Sequence, residues 1–105
     1  MQSSVIALLL ISSGAQAASE WTGNRKITSI YPYPTGFIFE VDGPKVNDPG
    51  CNGNRLNLPI TAANYDAIVS SLITAFSAQY NVSANFNNTT TSSCQAVINR
   101  VQITP

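Results

Sequence analysis

Ala62 to Tyr80 is the stretch whose apolar residues recur at helical spacing, and it constrains what the rest of the chain must supply. Tyr65, Ile68, Val69, Leu72, Ile73, Phe76 and Tyr80 fall at i, i+3, i+4, i+7, i+8, i+11 and i+15, a single stripe along one helix. Asp66, Ser70, Ser71, Thr74, Ser77 and Gln79 occupy the other face. Thr61 or Asn64 can cap the start, Asp66 sits in the first turn where the dipole favours a negative charge, and Asn81 is a reasonable stop. A single amphipathic helix must bury its stripe against something, and the remaining candidates are strands.

Five short segments have strand character. Lys26 to Tyr31 lies between the turn signals Thr22-Gly23-Asn24 and Tyr31-Pro32-Tyr33-Pro34. Phe37 to Val41 places Phe37, Phe39 and Val41 on one face and ends at Asp42-Gly43-Pro44. Val46 to Asn54, rich in Asn, Asp, Pro and Gly, reads as a loop. Arg55 to Ile60 alternates Leu56, Leu58 and Ile60, with Pro59 marking an edge or a bulge. After the helix, Val82, Ala84 and Phe86 alternate, Asn87 to Ser93 reads as a polar loop, and Ala96 to Ile103 forms the last strand. The order β-β-β-α-β-β gives an α+β, mainly β fold. Closure into a small five-stranded barrel would remove its edges, and a helix between strands three and four is the connectivity of the OB-fold. An open meander with the helix across one face is the alternative.

The amino terminus reads as a targeting segment. Val5 to Ile11 is a short apolar run, followed by Ser12-Ser13-Gly14 and the small-x-small sequence Ala15-Gln16-Ala17. Seven apolar residues are too few for a span of roughly 20, so no membrane anchor is expected there. Cleavage after Ala17 would leave residues 18–105, about 88 residues and one domain with a modest core, in a secreted or periplasmic location. In an exported chain the two cysteines, Cys51 and Cys94, read as a disulfide. It would close a loop of about 43 residues, worth roughly 4 kcal/mol in the chain-entropy treatment.

Five Lys and Arg balance five Asp and Glu, with no His. No basic stripe exists, which speaks against nucleic acid and against a membrane surface as partners. A surface of Asn, Ser and Thr suits neutral hydrogen-bonding partners, glycans among them. Without His there is no common general base near neutral pH, no Ser-His-Asp triad and no His-containing metal set. Glu40 and Asp42 are the closest carboxylate pair and read as solvated charges on a strand; Asn47, Asp48 and Asn52 match no EF-hand spacing. No catalytic residue, metal or cofactor is expected.

The opening of the part that follows Ala17, Glu20-Trp21-Thr22-Gly23, resembles the start of the B subunits of subtilase-type and typhoid-type AB5 toxins. The similarity extends to layout: a strand, a turn, an aromatic strand (Gly36 to Val41), Cys51 before the next strand, a long helix, then a β-rich tail with Cys94. The chain also resembles small exported bacterial proteins with a W-x-G start and two Gly- or Ser-flanked cysteines. The resemblance implies an OB-fold, a glycan ligand and a pentameric ring. It carries no sugar-binding residue across: Asn24-Arg25-Lys26-Ile27 stands where those toxins have an acidic, Ser-containing stretch, and Asn and Thr replace their aromatic region after the helix.

For a binding role the residues of choice are Tyr31 and Tyr33, in a Pro-stiffened aromatic turn, with Trp21 as a second aromatic platform. Each has a plainer reading: tyrosines that pack on the sheet or a neighbouring subunit, and a tryptophan that lids the core. The expected function is an exported, non-enzymatic binding module for glycans; the alternative is a protein-interaction module, an inhibitor or assembly partner. A small core, near-zero net charge and the small residues Ser70, Ser71, Thr74 and Ser77 on the helix suit a homo-oligomer, and the same residues equally suit a face turned to water. The sequons at Asn81, Asn87 and Asn88 are chance matches in an Asn-rich chain.

Overall fold

The computed structural model describes residues 18–46, 54–88 and 95–105. Residues 1–17, which read as a targeting segment, and Cys51 and Cys94 with their expected disulfide lie outside the described residues. Six strands and one helix follow in order: β1 (Ala18–Trp21), β2 (Ile27–Tyr33), β3 (Gly36–Val41), β4 (Arg55–Pro59), α1 (Tyr65–Ala78), β5 (Asn81–Asn88) and β6 (Ala96–Thr104). They form one mixed sheet in the order β1-β5-β6-β4-β3-β2, antiparallel throughout except for the short parallel pairing of β4 with β6.

The five-stranded closed barrel expected from the sequence is therefore corrected to an open six-stranded sheet. The additional strand is β1, a four-residue polar and aromatic segment with no apolar alternation to announce it. The sheet order has two ends, β1 and β2, which are joined through residues 22–26 and do not pair with each other. Within that link Arg25 exchanges two backbone hydrogen bonds with Val82 of β5 (2.9 and 2.8 Å), and the Lys26 carbonyl accepts from Asp42 N–H at 3.0 Å beyond β3. The chain thus passes from one end of the sheet to the other in five residues, so the sheet is strongly curled around its core.

Alternation decides what the curl encloses. Phe37, Phe39 and Val41 of β3, Leu56 and Leu58 of β4, Val82, Ala84 and Phe86 of β5 and Ile98 of β6 are buried together with Ile68, Leu72 and Ala75 of α1. On β2, Ile27 and Ile30 are three residues apart, and strict alternation would send them to opposite faces. A bulge between Ile27 and Ser29 resets the phase, so that Ile27 lies opposite Val41 and Ile30 opposite Phe39, both inward-facing.

Three boundaries differ from the sequence reading for physical reasons. Tyr31-Pro32-Tyr33 is strand rather than turn, and only Pro34-Thr35 turns. Pro32 is tolerated because β2 ends the sheet, where a missing N–H costs no ladder bond on the free side. Pro59, expected at an edge, closes β4 between two neighbours; β6 pairs only with Leu56 and Asn57, so no bond from Pro59 to β6 is required. The helix ends at Gln79, whose left-handed φ of 57° directs the Tyr80 N–H to the Ala75 carbonyl (3.0 Å), before Asn81 is reached. Asn64 holds the N-cap position without a side-chain bond. Of the predicted stripe, Ile73 and Tyr80 stay exposed, while Ala75 is buried. Ser71 and Thr74 turn their hydroxyls onto the Ala67 and Ser70 carbonyls (both 2.9 Å), a bond within the helix that needs no partner chain.

Gly36 explains how tightly β3 and β4 meet: a Cβ there would lie 2.8 Å from Asn57 Oδ1 and from the Leu58 carbonyl oxygen. Gly43, at φ +86°, lies against the Arg25 side chain. Arg25 is 9% exposed, and its guanidinium donates to three backbone carbonyls: Nε to Thr22 (3.0 Å), Nη1 to Asp42 (2.8 Å) and Pro44 (2.6 Å). Buried Asn54 ties the same turn, donating to the Gly43 and Pro44 carbonyls and accepting from Val46 N–H. Lysine cannot reproduce that fork. Arg25→Lys is expected to cost about 2–3 kcal/mol, because the three part-buried, charge-assisted bonds to backbone carbonyls cannot all be kept. An unchanged urea midpoint would contradict the assignment.

Candidate functional site

The inner faces of β5 and β6 are committed to the core, so the chemistry these strands and the adjoining β1 offer a ligand is on their outer faces. On β5 the residues between Val82, Ala84 and Phe86 are Ser83, Asn85 and Asn87, an all-polar outer stripe. Register sets their neighbours: Trp21 of β1 lies opposite Asn85, and Asn85 lies opposite Arg100 of β6. Directly opposed residues share a face, so Trp21, Asn85 and Arg100 form one row across three strands.

Hydrogen bonds and a ring contact tie this row together. Ser19 Oγ donates to Asn85 Oδ1 at 2.9 Å, and Asn99 Nδ2 donates to the same oxygen at 3.0 Å. Arg100 Nη1 donates to Asn99 Oδ1 at 2.8 Å. The Arg100 guanidinium carbon lies 5.4 Å from the centroid of the Trp21 ring, which is itself 45% exposed. Asn99 reaches the row because the β5–β6 register shifts between Asn85 and Phe86 and frees it from regular pairing. Cation–π contacts at exposed positions are worth about 0.5–1 kcal/mol, so the guanidinium leaves the ring easily.

Trp21 also stands at the rim of a recess of about 290 Å³ lined by Glu20, Thr22, Arg25, Lys45 and Phe86 among others. On its own face the aromatic platform is flanked by hydroxyl, amide and guanidinium groups, whereas Glu20, paired with Phe86, belongs to the other face of β1. A flat apolar ring surrounded by short polar side chains can stack on the apolar face of a ring-shaped ligand and bond its polar rim.

Tyr31 and Tyr33 do not join this site. They stack at 5.9 Å between centroids and 17° between planes, on the outer face of β2. Their strand neighbours Ile38 and Gly36 belong to β3, and neither tyrosine lines the recess at Trp21. Tyr31 is 60% exposed, and buried Ile38 lies opposite it, so the pair both covers the sheet and presents a surface. The sequence-predicted aromatics thus fall into two separate patches.

The carboxylates considered for acid-base work have other partners. Glu40 accepts from Ser29 Oγ at 3.0 Å and lies 3.7 Å from Arg55, and Asp42 Oδ1 accepts from Lys26 N–H at 2.9 Å. Among the described residues no three His, Cys, Asp or Glu side chains are grouped to hold a metal ion, and no helix is long and apolar enough to cross a membrane.

Asn85, Asn99, Arg100 and Ser19 were not selected from sequence. The signal available was the Asn and Ser alternation of β5. Trp21 and Asn85 are distant along the chain, and only their register makes them neighbours. Comparison with protein-family models, with curated proteins and with solved structures gives no match for the chain, and the functional reading rests on these residues.

Proposed function

We propose that this chain is an exported, non-enzymatic binding module that takes a glycan on the outer face of β1, β5 and β6. The observation that carries the reading is the half-exposed Trp21 ring set in a row of amide, hydroxyl and guanidinium groups. Large aromatic area with adaptable polar neighbours is an economical way to hold a ligand, because few rotamers are frozen. The meander β2–β3–β4, the helix, and the return of β6 beside β4 support an OB-like connectivity in partly open form. A glycan array probed with the mature protein tests the reading: reproducible binding to a family of related sugars is the expected result.

A protein-interaction module is the second reading, and the stacked Tyr31–Tyr33 pair favours it. Tyrosine is enriched at protein interfaces, and β2 ends the sheet. Silence on the array together with a tight, defined protein complex would replace the first reading with this one.

Export itself is part of the proposal, supported by the apolar run Val5–Ile11, the Ala15-Gln16-Ala17 sequence and an even number of cysteines, Cys51 and Cys94. Mass spectrometry of the secreted or periplasmic protein is expected to give Ala18 as the first residue and no alkylatable thiol under native, oxidised conditions. Two reactive thiols would remove the disulfide from the account.

A further inference from the structure

Asn85 carries a buried hydrogen-bond donor whose orientation is fixed by its neighbours. Arg100 can only donate, so Asn99 must turn its Oδ1 toward the guanidinium and its Nδ2 toward Asn85. That makes the group facing Asn99 the Asn85 Oδ1, which also accepts from Ser19. The Asn85 Nδ2 is then left without a partner in a residue that is 1% exposed. Buried amide donors are rarely left unpaired in folded proteins. This one lies between Trp21 and Arg100 in the cross-strand row of the binding face.

The donor–acceptor balance narrows what can meet it. The Asn85 Nδ2 needs an acceptor oxygen. A sugar hydroxyl would bring its own proton to a place where the nearest acceptor, Asn85 Oδ1, already takes two donors. A carbonyl oxygen brings no proton. Trp21, directly opposite Asn85 on β1, supplies an apolar ring in the same row, which would match a methyl group next to that carbonyl, a group that a carboxylate does not offer. Admission requires the groups covering Asn85 to move, and Arg100, opposite it on β6, is held to the Trp21 ring only through an exposed contact.

We propose that the glycan is held through an acetamido group, its carbonyl oxygen accepting from Asn85 Nδ2 and its methyl resting on Trp21. The proposal builds on the glycan reading above, and the test separates the two. The mature protein is titrated with the methyl glycosides of N-acetylglucosamine and N-acetylgalactosamine, and with those of glucose, galactose and glucuronic acid. Side-chain amide resonances are followed by nitrogen-edited NMR. The acetamido sugars are expected to bind about tenfold or more tightly than their hydroxyl counterparts, as an unanswered buried donor would require. The Asn85 side-chain amide pair should be among the resonances that move, and Asn85→Leu should erase the preference. The wild-type resonances answer the question even where that variant fails to fold. Equal binding of acetamido and hydroxyl sugars, or a stationary Asn85 amide, overturns the acetamido contact and leaves the glycan reading standing. Tighter binding of the glucuronide overturns it in favour of a carboxylate. Binding of none of the five, with silence on the array, overturns both.

Discussion

Phe39→Ala is expected to remove about 3–5 kcal/mol of stability, most of what a domain of this size possesses. Phe39 is fully buried on β3, the strand between β2 and β4, and its ring lies 6.3 Å from that of Phe37 at a tilt of 44°. Ile30 and Leu56 lie opposite it on the flanking strands. Both are tied into ladders, so the surroundings can close only partly over the lost ring. With roughly 4–8 °C lost per kcal/mol in a domain this small, the melting temperature should fall by about 15 °C or more. Ile73→Ala is the control: that side chain is exposed on α1, and the expected loss is below about 1 kcal/mol. A Phe39 variant that melts within a few degrees of wild type would mean that the curl of the sheet does not enclose the core described.

The helix, the two apolar faces of β3 and β4, and the inward set Val82, Ala84 and Phe86 were legible because each follows a local period. The stripe at Ile68 and Leu72 and the alternation Phe37–Phe39–Val41 correspond to buried residues. What was not legible depends on pairing between distant segments. β1 has no apolar alternation and becomes a strand only because β5 supplies a ladder for it. The Tyr31-Pro32-Tyr33 segment carries the local signal of a turn, and an end-of-sheet position overrides it. A β-strand count with short apolar segments suggested closure; the order of pairing, with β1 and β2 at opposite ends, decides against it.

The candidate site divides along the same line. Trp21 stood out near the start of the domain as either a lid on the core or an aromatic platform, and its ring is 45% exposed. Its partners were not, because Asn85 and Arg100 are ordinary polar residues until the register sets them in one row. Arg25 shows the converse: one of few charges in the sequence, it is consumed by the turn at Asp42 to Pro44. Composition alone gives no means of telling a structural arginine from one on a binding face.

The second large effect concerns binding. Trp21→Ala is expected to weaken glycan binding about thirtyfold or more, the loss typical of a central aromatic anchor. The fold should tolerate the change, since the ring is half exposed and its contact with Arg100 contributes only about 0.5–1 kcal/mol. Arg100→Ala should weaken binding less, because the guanidinium covers the ring in the free protein as well as bordering the ligand. Tyr31→Ala, on the separate β2 patch, should leave glycan affinity unchanged.

The most direct test is calorimetric titration of the strongest array ligand into wild type, Trp21→Ala and Tyr31→Ala, with the melting temperature of each recorded beside it. The account predicts a thirtyfold or greater loss for Trp21→Ala at a melting temperature within a few degrees of wild type, and wild-type affinity for Tyr31→Ala. Wild-type affinity for Trp21→Ala, with the loss falling on Tyr31→Ala instead, would contradict it and move the binding face to β2.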